Sequence, residues 1–259
     1  MWPSGFGTVA SALVRVLILG GTGESRELAK LLVDRGVAVT SSLAGRVSNP
    51  ALPVGDVRVG GFGGAQGLGD YLRESSVDVL IDATHPFAAT ISAHAAQAAD
   101  ETRTRLIAVR RPAWQAARGD NWQRVETIND AAAVVRARPQ GTVLLTTGRR
   151  DLAAFAEDEA HDYLVRTVEP PLPPTPPRMT LVLDRGPYTL DGELALMRSH
   201  NVRVLVTKDS GGDLTSAKLA AARELGMPVV MVDRPALPSG VTAVEDVATV
   251  LTLLSDGSQ

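Results

Sequence analysis

The residues best suited to chemistry fall in a few short clusters. Gly20-Gly21-Thr22-Gly23 follow the apolar run Val16–Leu19 and precede a helical pattern that opens at Glu24. A strand, a glycine turn and a helix start aim unpaired backbone N–H groups and a positive dipole end at an anion. The guest such a turn takes is the pyrophosphate of a dinucleotide. The full G-x-G-x-x-G fingerprint would run Gly21, Gly23 and then position 26, where this chain carries Arg26. A tight strand–helix turn without a ligand is the other reading of these residues.

A second strand of a dinucleotide fold ends at the adenosine ribose, where a carboxylate selects NAD. Here the strand runs out through Ser41-Ser42-Leu43-Ala44-Gly45-Arg46, with no acid. Serine hydroxyls and a guanidinium suit a 2′-phosphate, which favours NADP. A later strand ends in Asp82-Ala83-Thr84-His85-Pro86-Phe87. Thr84 or His85 is placed to cap the next helix, with Pro86 in its first turn. His85 also stands at a carboxyl edge, as a contact to cofactor or substrate and not as a metal ligand. His94, His161 and His200 show no metal spacing.

Basic residues recur at three further strand ends: Arg110-Arg111, Arg149-Arg150 and Lys208. Gathered round one cleft, they suit a substrate with several carboxylates or phosphates. Lys208 heads Lys208-Asp209-Ser210-Gly211-Gly212, a turn whose N–H groups can also hold an anion. A lysine there fixes a carboxylate or delivers a proton. Singly, each of these pairs also reads as ordinary surface charge.

The elements that position these clusters alternate along nearly the whole chain, as in a parallel sheet. Strands are expected near 15–19, 38–42, 57–59, 77–82, 106–109, 142–146, 163–168, 180–183, 203–207 and 228–232. Helices are expected near 24–35, 67–75, 86–100, 130–136, 151–157, 190–199, 216–225 and 243–254. The pattern predicts an α/β protein of two Rossmann-like, doubly wound domains with largely parallel sheets. Residues 14–112 form the NADP-binding domain, 113–128 an irregular connection and 129–259 the second domain, with the substrate cleft between them. Residues 1–13 read as a disordered extension or a start site placed too early. Pro170–Pro177 cannot form a helix or a central strand.

Composition sets the limits. The 259 residues are 44% hydrophobic, enough for one or two sizeable cores. A net charge of −3 gives no basic field for nucleic acid or an anionic membrane. No apolar run approaches the ~20 residues that cross a bilayer. The absence of cysteine excludes disulfides and thiolate chemistry, so the cytoplasm is the default compartment. Lysine occurs only at Lys30, Lys208 and Lys218, the other basic residues being arginine. The Tyr-x-x-x-Lys pair of short-chain dehydrogenases and epimerases is missing: the tyrosines are followed four residues on by Ser75, Thr167 and Gly192.

GGTGES, LAGR, DATHPFA, RRPAW, TTGRR, RTVEPP, RGPY and KDSGG occur in this order over 14–254. Together they resemble the precorrin-6A reductases of cobalamin biosynthesis, including relatives that act on cobalt-precorrin-6A. The resemblance implies a reductase that uses NADPH to saturate one macrocycle double bond, giving precorrin-6B from precorrin-6A. It implies a tetrapyrrole polycarboxylate as substrate, no resident metal, and room for transient contact with neighbouring pathway enzymes. Gly20, Gly21, Thr22, Gly23 and Glu24 would then hold the pyrophosphate end of the cofactor, and Ser42 and Arg46 its 2′-phosphate. Thr84 and His85 would border the nicotinamide. Arg110, Arg111, Arg149, Arg150, Lys208 and Ser210 would bind substrate carboxylates, with Lys208 or a water as the acid. A non-enzymatic NADP-sensing domain is the rival reading; it would bind the dinucleotide without oxidising it.

Overall fold

The computed structural model describes residues 14–45 and 52–256; the extension read at 1–13 and Arg46 lie outside them. The chain divides into two compact units, one running to Arg110 and resuming at Leu237, the other Arg111–Ala236.

In unit 1, β1 (Arg15–Leu19), β2 (Ala38–Leu43), β3 (Asp56–Val59), β4 (Val79–Asp82), β5 (Arg105–Val109) and a short β12 (Thr242–Val244) form one sheet. Every pairing is parallel and the spatial order is β3-β2-β1-β4-β5-β12. This is the doubly wound dinucleotide order, which reverses between β1 and β4. Its helices are α1 (Gly23–Val33), α2 (Gly64–Glu74), α3 (Ala89–Thr102) and α7 (Val247–Asp256). The run of β1 is apolar throughout because both faces are covered. Val16 and Ile18 pack with Leu28 and Leu32 of α1 and with Val247 and Val250 of α7. Leu17 and Leu19 face the other way, onto Leu68 and Leu72 of α2 and Ala95 and Ala98 of α3.

Unit 2 repeats the plan with β6 (Asn121–Val125), β7 (Thr142–Leu145), β8 (Asp162–Thr167), β9 (Met179–Leu183), β10 (Val202–Lys208) and β11 (Pro228–Val232). The order is β9-β8-β7-β10-β11-β6, again wholly parallel. The edge that β12 closes in unit 1 is closed here by β6, the first strand of the unit. Helices α4 (Ile128–Arg136), α5 (Leu190–Ser199) and α6 (Ala217–Glu224) cover the sheet, with a 3-10 turn at Leu152–Phe155.

Four sequence expectations differ from this. The stretch 113–128 is not simply an irregular connection, because Asn121–Val125 pairs in register with β11. It is an edge strand with an exposed face, so it lacks a continuous apolar run. The segment expected as one helix over 243–254 splits into β12 and α7. Both belong to unit 1, so the second unit ends at Ala236 and not at the C-terminus. The helix expected from Pro86 starts at Ala89. Thr84 does not cap it, because its hydroxyl and amide both donate to Asp82 Oδ1 (2.6 and 3.1 Å). The helix expected at 151–157 is only the 3-10 turn.

Candidate active site

In unit 1 the sheet order reverses beside the carboxyl ends of β1 and β4, where an open α/β sheet receives its ligand. Thr22 is the N-cap of α1 and forms a reciprocal capping box with Ser25. Thr22 Oγ1 donates to the Ala83 carbonyl (2.8 Å), tying the glycine turn to the end of β4. Ser25 Oγ accepts from the amides of Gly21 and Thr22, both at 3.1 Å. Gly21 has φ 115° and is exposed, and a β-carbon added there would meet nothing within 4 Å. Glycine is required there by the backbone and leaves the main chain open to an approaching phosphate. Glu24 is half-buried in the first turn of α1.

At the end of β2, Ser42 is buried and its Oγ accepts from Arg58 Nη1 (3.0 Å). Register pairs Ser42 with Arg58 across β2 and β3. The Arg58 guanidinium also donates to the carbonyls of Gly60 and Gly61 (both 3.1 Å) and stacks 3.7 Å from the Phe62 ring centroid. Among the described residues three of its five donors are thereby used, leaving Nε–H and one Nη2–H on one edge of the fork.

Asp82, buried at the end of β4, accepts from Thr84 through Oδ1 and from Ser92 Oγ through Oδ2 (2.5 Å). This fixes the turn that carries His85, which is exposed and accepts from the Phe87 amide through Nδ1 (3.3 Å). In the neutral ring, that bond leaves the proton on Nε2. Arg110 belongs to this unit; its Nη2 donates to the Pro86 carbonyl (3.1 Å).

In unit 2 the order reverses between β7 and β10. Lys208 Nζ lies 2.6 Å from Asp151 Oδ2. Arg149 pairs with Glu169 at 2.9 Å, and Arg150 is exposed. Asp209, fully buried, gathers the Trp114 amide (3.0 Å), Arg124 Nη2 (2.7 Å) and Arg234 Nη2 (3.4 Å). Arg111 Nε donates to the Ser210 carbonyl (2.7 Å), and Arg234 Nη1 to the Arg111 carbonyl (2.8 Å). The start and end of unit 2 are thus fastened together beside the Lys208–Gly212 turn.

One face of the same carboxyl edge holds buried charges. Arg166 Nη1 lies 2.8 Å from Glu193 Oε1, both side chains being almost wholly buried. The Tyr188 ring stacks 3.8 Å from that guanidinium. Lys218, 4% exposed, donates to the Thr215 carbonyl (2.7 Å) and stands 4.7 Å from the Trp114 ring centroid. Burial, then the Arg166 guanidinium, bring its pKa down to about 7 against the pull of Glu193, with Arg111 adding to the fall.

The family model "Precorrin-6x reductase CbiJ/CobK" matches residues 15–255. The chain belongs to this precorrin-6x reductase family. A precorrin-6A reductase of Rhodococcus erythropolis is 51% identical over 238 residues, 91% of this chain and 95% of that one. A cobalt-precorrin-6A reductase of Priestia megaterium is 33% identical, covering 87% and 92%. A solved "CobK precorrin-6A reductase" is 41% identical and superposes with a TM-score of 0.88 over 95% of this chain and 98% of that one.

Against this reductase background, the carboxyl edge of unit 1 brings together Gly20, Gly21, Thr22, Gly23, Ser42, Thr84 and His85. The corresponding edge of unit 2 brings together Arg149, Lys208 and Ser210. Arg110 and Arg111, adjacent in sequence, fall in different units. Sequence reading expects the strand at 57–59 but missed Arg58, because its place beside Ser42 comes from the β2–β3 register. It also missed Lys218, Arg166 and Glu193. For these the signal was present: charged residues inside otherwise apolar helix and strand patterns.

Proposed function

We propose that this chain reduces one carbon–carbon double bond of precorrin-6A, with NADPH as the reductant. The observation that carries the reading is 51% identity with a precorrin-6A reductase over 95% of that enzyme's length. The greater distance of the cobalt-precorrin-6A reductase favours the metal-free ring. NADPH, when bound, supplies a hydride that the conjugated macrocycle can accept.

The residues of unit 1 fit the cofactor. Gly20, Gly21, Thr22 and Gly23 offer main chain and a helix dipole to the pyrophosphate, with Glu24 beside them. The open edge of Arg58, pinned beside Ser42, suits the 2′-phosphate as a bidentate partner. Thr84 and His85 would border the nicotinamide. In unit 2, Arg111, Arg149, Arg150, Lys208 and Ser210 supply contacts for the substrate's carboxylates. Lys208, oriented by Asp151, is the group we assign to protonate the ring carbon next to the one that takes hydride.

The test follows NADPH absorbance as the purified protein meets precorrin-6A without oxygen, with NADH and cobalt-precorrin-6A in parallel. Oxidation of NADPH, with a tetrapyrrole product reduced by two electrons, is the expected result. Binding of NADPH without oxidation in the presence of either substrate would overturn the reading and favour a sensor.

A further inference from the structure

Arg166, Glu193 and Lys218 come from three elements, β8, α5 and α6, and meet at the carboxyl edge of unit 2. Arg166 is 7% exposed, Glu193 2% and Lys218 4%. Their charges do not balance. With Lys218 protonated, two cations share one carboxylate, and an unpaired buried charge is costly. Their hydrogen bonding is incomplete as well. Arg166 touches Glu193 Oε1 at 2.8 Å, but among the described residues neither Glu193 oxygen accepts a well-aligned hydrogen bond. Buried groups of this kind call for a partner. The Tyr188 ring stacked on the guanidinium is half-buried.

We propose that Arg166, Glu193 and Lys218 form a proton-linked carboxylate receptor: a carboxylate arm of the substrate joins Arg166, and Lys218 takes up a proton from solvent as it does so. The identity of the substrate rests on the function proposed above; the receptor itself rests on the cluster. The charge count is simple. Without the ligand, Arg166 and Glu193 cancel and a neutral Lys218 completes a neutral cluster. An added carboxylate brings the negative charges of the buried trio to two, and a protonated Lys218 restores the trio's neutrality, the half-buried Arg111 lying outside this count. The lowered pKa of Lys218, about 7, places this uptake near neutral pH. The charges acting on Lys218 are Arg166 from β8, Glu193 from α5 and Arg111 from the segment entering unit 2. A nearby anion raises the ammonium's pKa, so binding is tightest below about pH 7 and weakens as pH rises from there toward the bound value. Lys218 acts on the bound arm through charge and is a positioning residue.

The test is calorimetric titration of the whole protein with precorrin-6A, without NADPH, in two buffers of different ionisation enthalpy. Titration with NADPH alone runs beside it. About one proton taken up per substrate at pH 7.5, and a dissociation constant that rises up to about tenfold per pH unit above 7, are expected. Glu193→Gln, which keeps the shape, removes a negative charge, so the arm is neutralised without the proton and uptake falls to zero. Lys218→Arg, permanently charged, also abolishes uptake and flattens the pH profile. No uptake in the wild type, or uptake unchanged in Glu193→Gln, overturns the proposal. Uptake seen with NADPH alone overturns the assignment to a substrate carboxylate. If precorrin-6A is never reduced but a polycarboxylic porphyrin binds with Glu193-dependent uptake, the receptor stands and the function proposed above falls.

Discussion

Replacing Arg58 by alanine tests the cofactor side of the site most sharply. The guanidinium is held by Ser42, Gly60 and Gly61 and stacked on Phe62, so its remaining edge is pre-oriented. A charge-assisted hydrogen bond contributes about 1.5–3 kcal/mol. At about 1.4 kcal/mol per factor of ten, Arg58→Ala should weaken NADPH by about 10- to 100-fold. The substitution also loosens the Gly60–Gly61 turn, a loss that falls on both dinucleotides. NADH carries no 2′-phosphate, so the ratio of the two kcat/KM values isolates the phosphate contact. Arg58→Lys keeps the charge without the fork and should fall between wild type and alanine. Arg46→Ala, the arginine that sequence alone singles out, is the companion variant, and a larger change in the ratio there than in Arg58→Ala would give the 2′-phosphate to Arg46. The assay is steady-state oxidation of each dinucleotide with precorrin-6A under anaerobic conditions. Equal losses for NADPH and NADH in Arg58→Ala, or none for either, would refute the reasoning from β3.

Gly211→Ala should cost more than about 3 kcal/mol by thermal or urea unfolding. Its φ is +66°, and an added Cβ would lie 2.1 Å from the Pro112 carbonyl oxygen, a backbone atom that cannot step aside. Ser25→Ala removes the acceptor of two turn amides and half of a capping box, and should lower stability by about 1 kcal/mol in the same assay. Asp158 is buried, which pushes its carboxyl up, but hydrogen bonds from Tyr163, Ala160 and His161 outweigh this and hold it below the usual range. Its stabilisation is therefore complete above the unfolded value of 3.8 and is lost as pH falls through the lower native value. Asp158→Ala should cost about 3 kcal/mol at neutral pH and make acid unfolding less steep below pH 4 by circular dichroism.

The parts of the fold legible in sequence were those with strong local signals. Val16–Leu19 and Val229–Val232 are buried on both faces, and their uninterrupted apolar runs announce central strands. β6 and β12 were missed because an edge strand needs no such run, and three residues cannot show a period. Gly20–Gly23, Asp82–His85 and Lys208–Gly212 were found because turn chemistry is written in residue type. Their internal wiring was not. That Asp82 captures Ser92 and Thr84, or that Asp209 gathers Arg234, 25 residues on, and Arg124 and Trp114, 85 and 95 residues back, is set by side-chain orientation and tertiary contact and not by residue type. Arg58 shows the same limit from the other side: its place beside Ser42 comes from a parallel register, and register is set by tertiary packing.

The return of β12 and α7 to the first sheet bears on how the chain matures at the ribosome. Domains commonly fold in the order in which they are made. Here Arg110 donates its amide to Val244, and Val16 and Ile18 share a core with Val247 and Val250. None of these partners exists until the whole of unit 2 has been translated, a delay on the order of ten seconds. During that interval β5 has an unpaired edge and α1 an uncovered apolar face, both invitations to mispairing. Unit 2 is complete in sequence first, so the part of the protein that begins earliest is the one that must finish last.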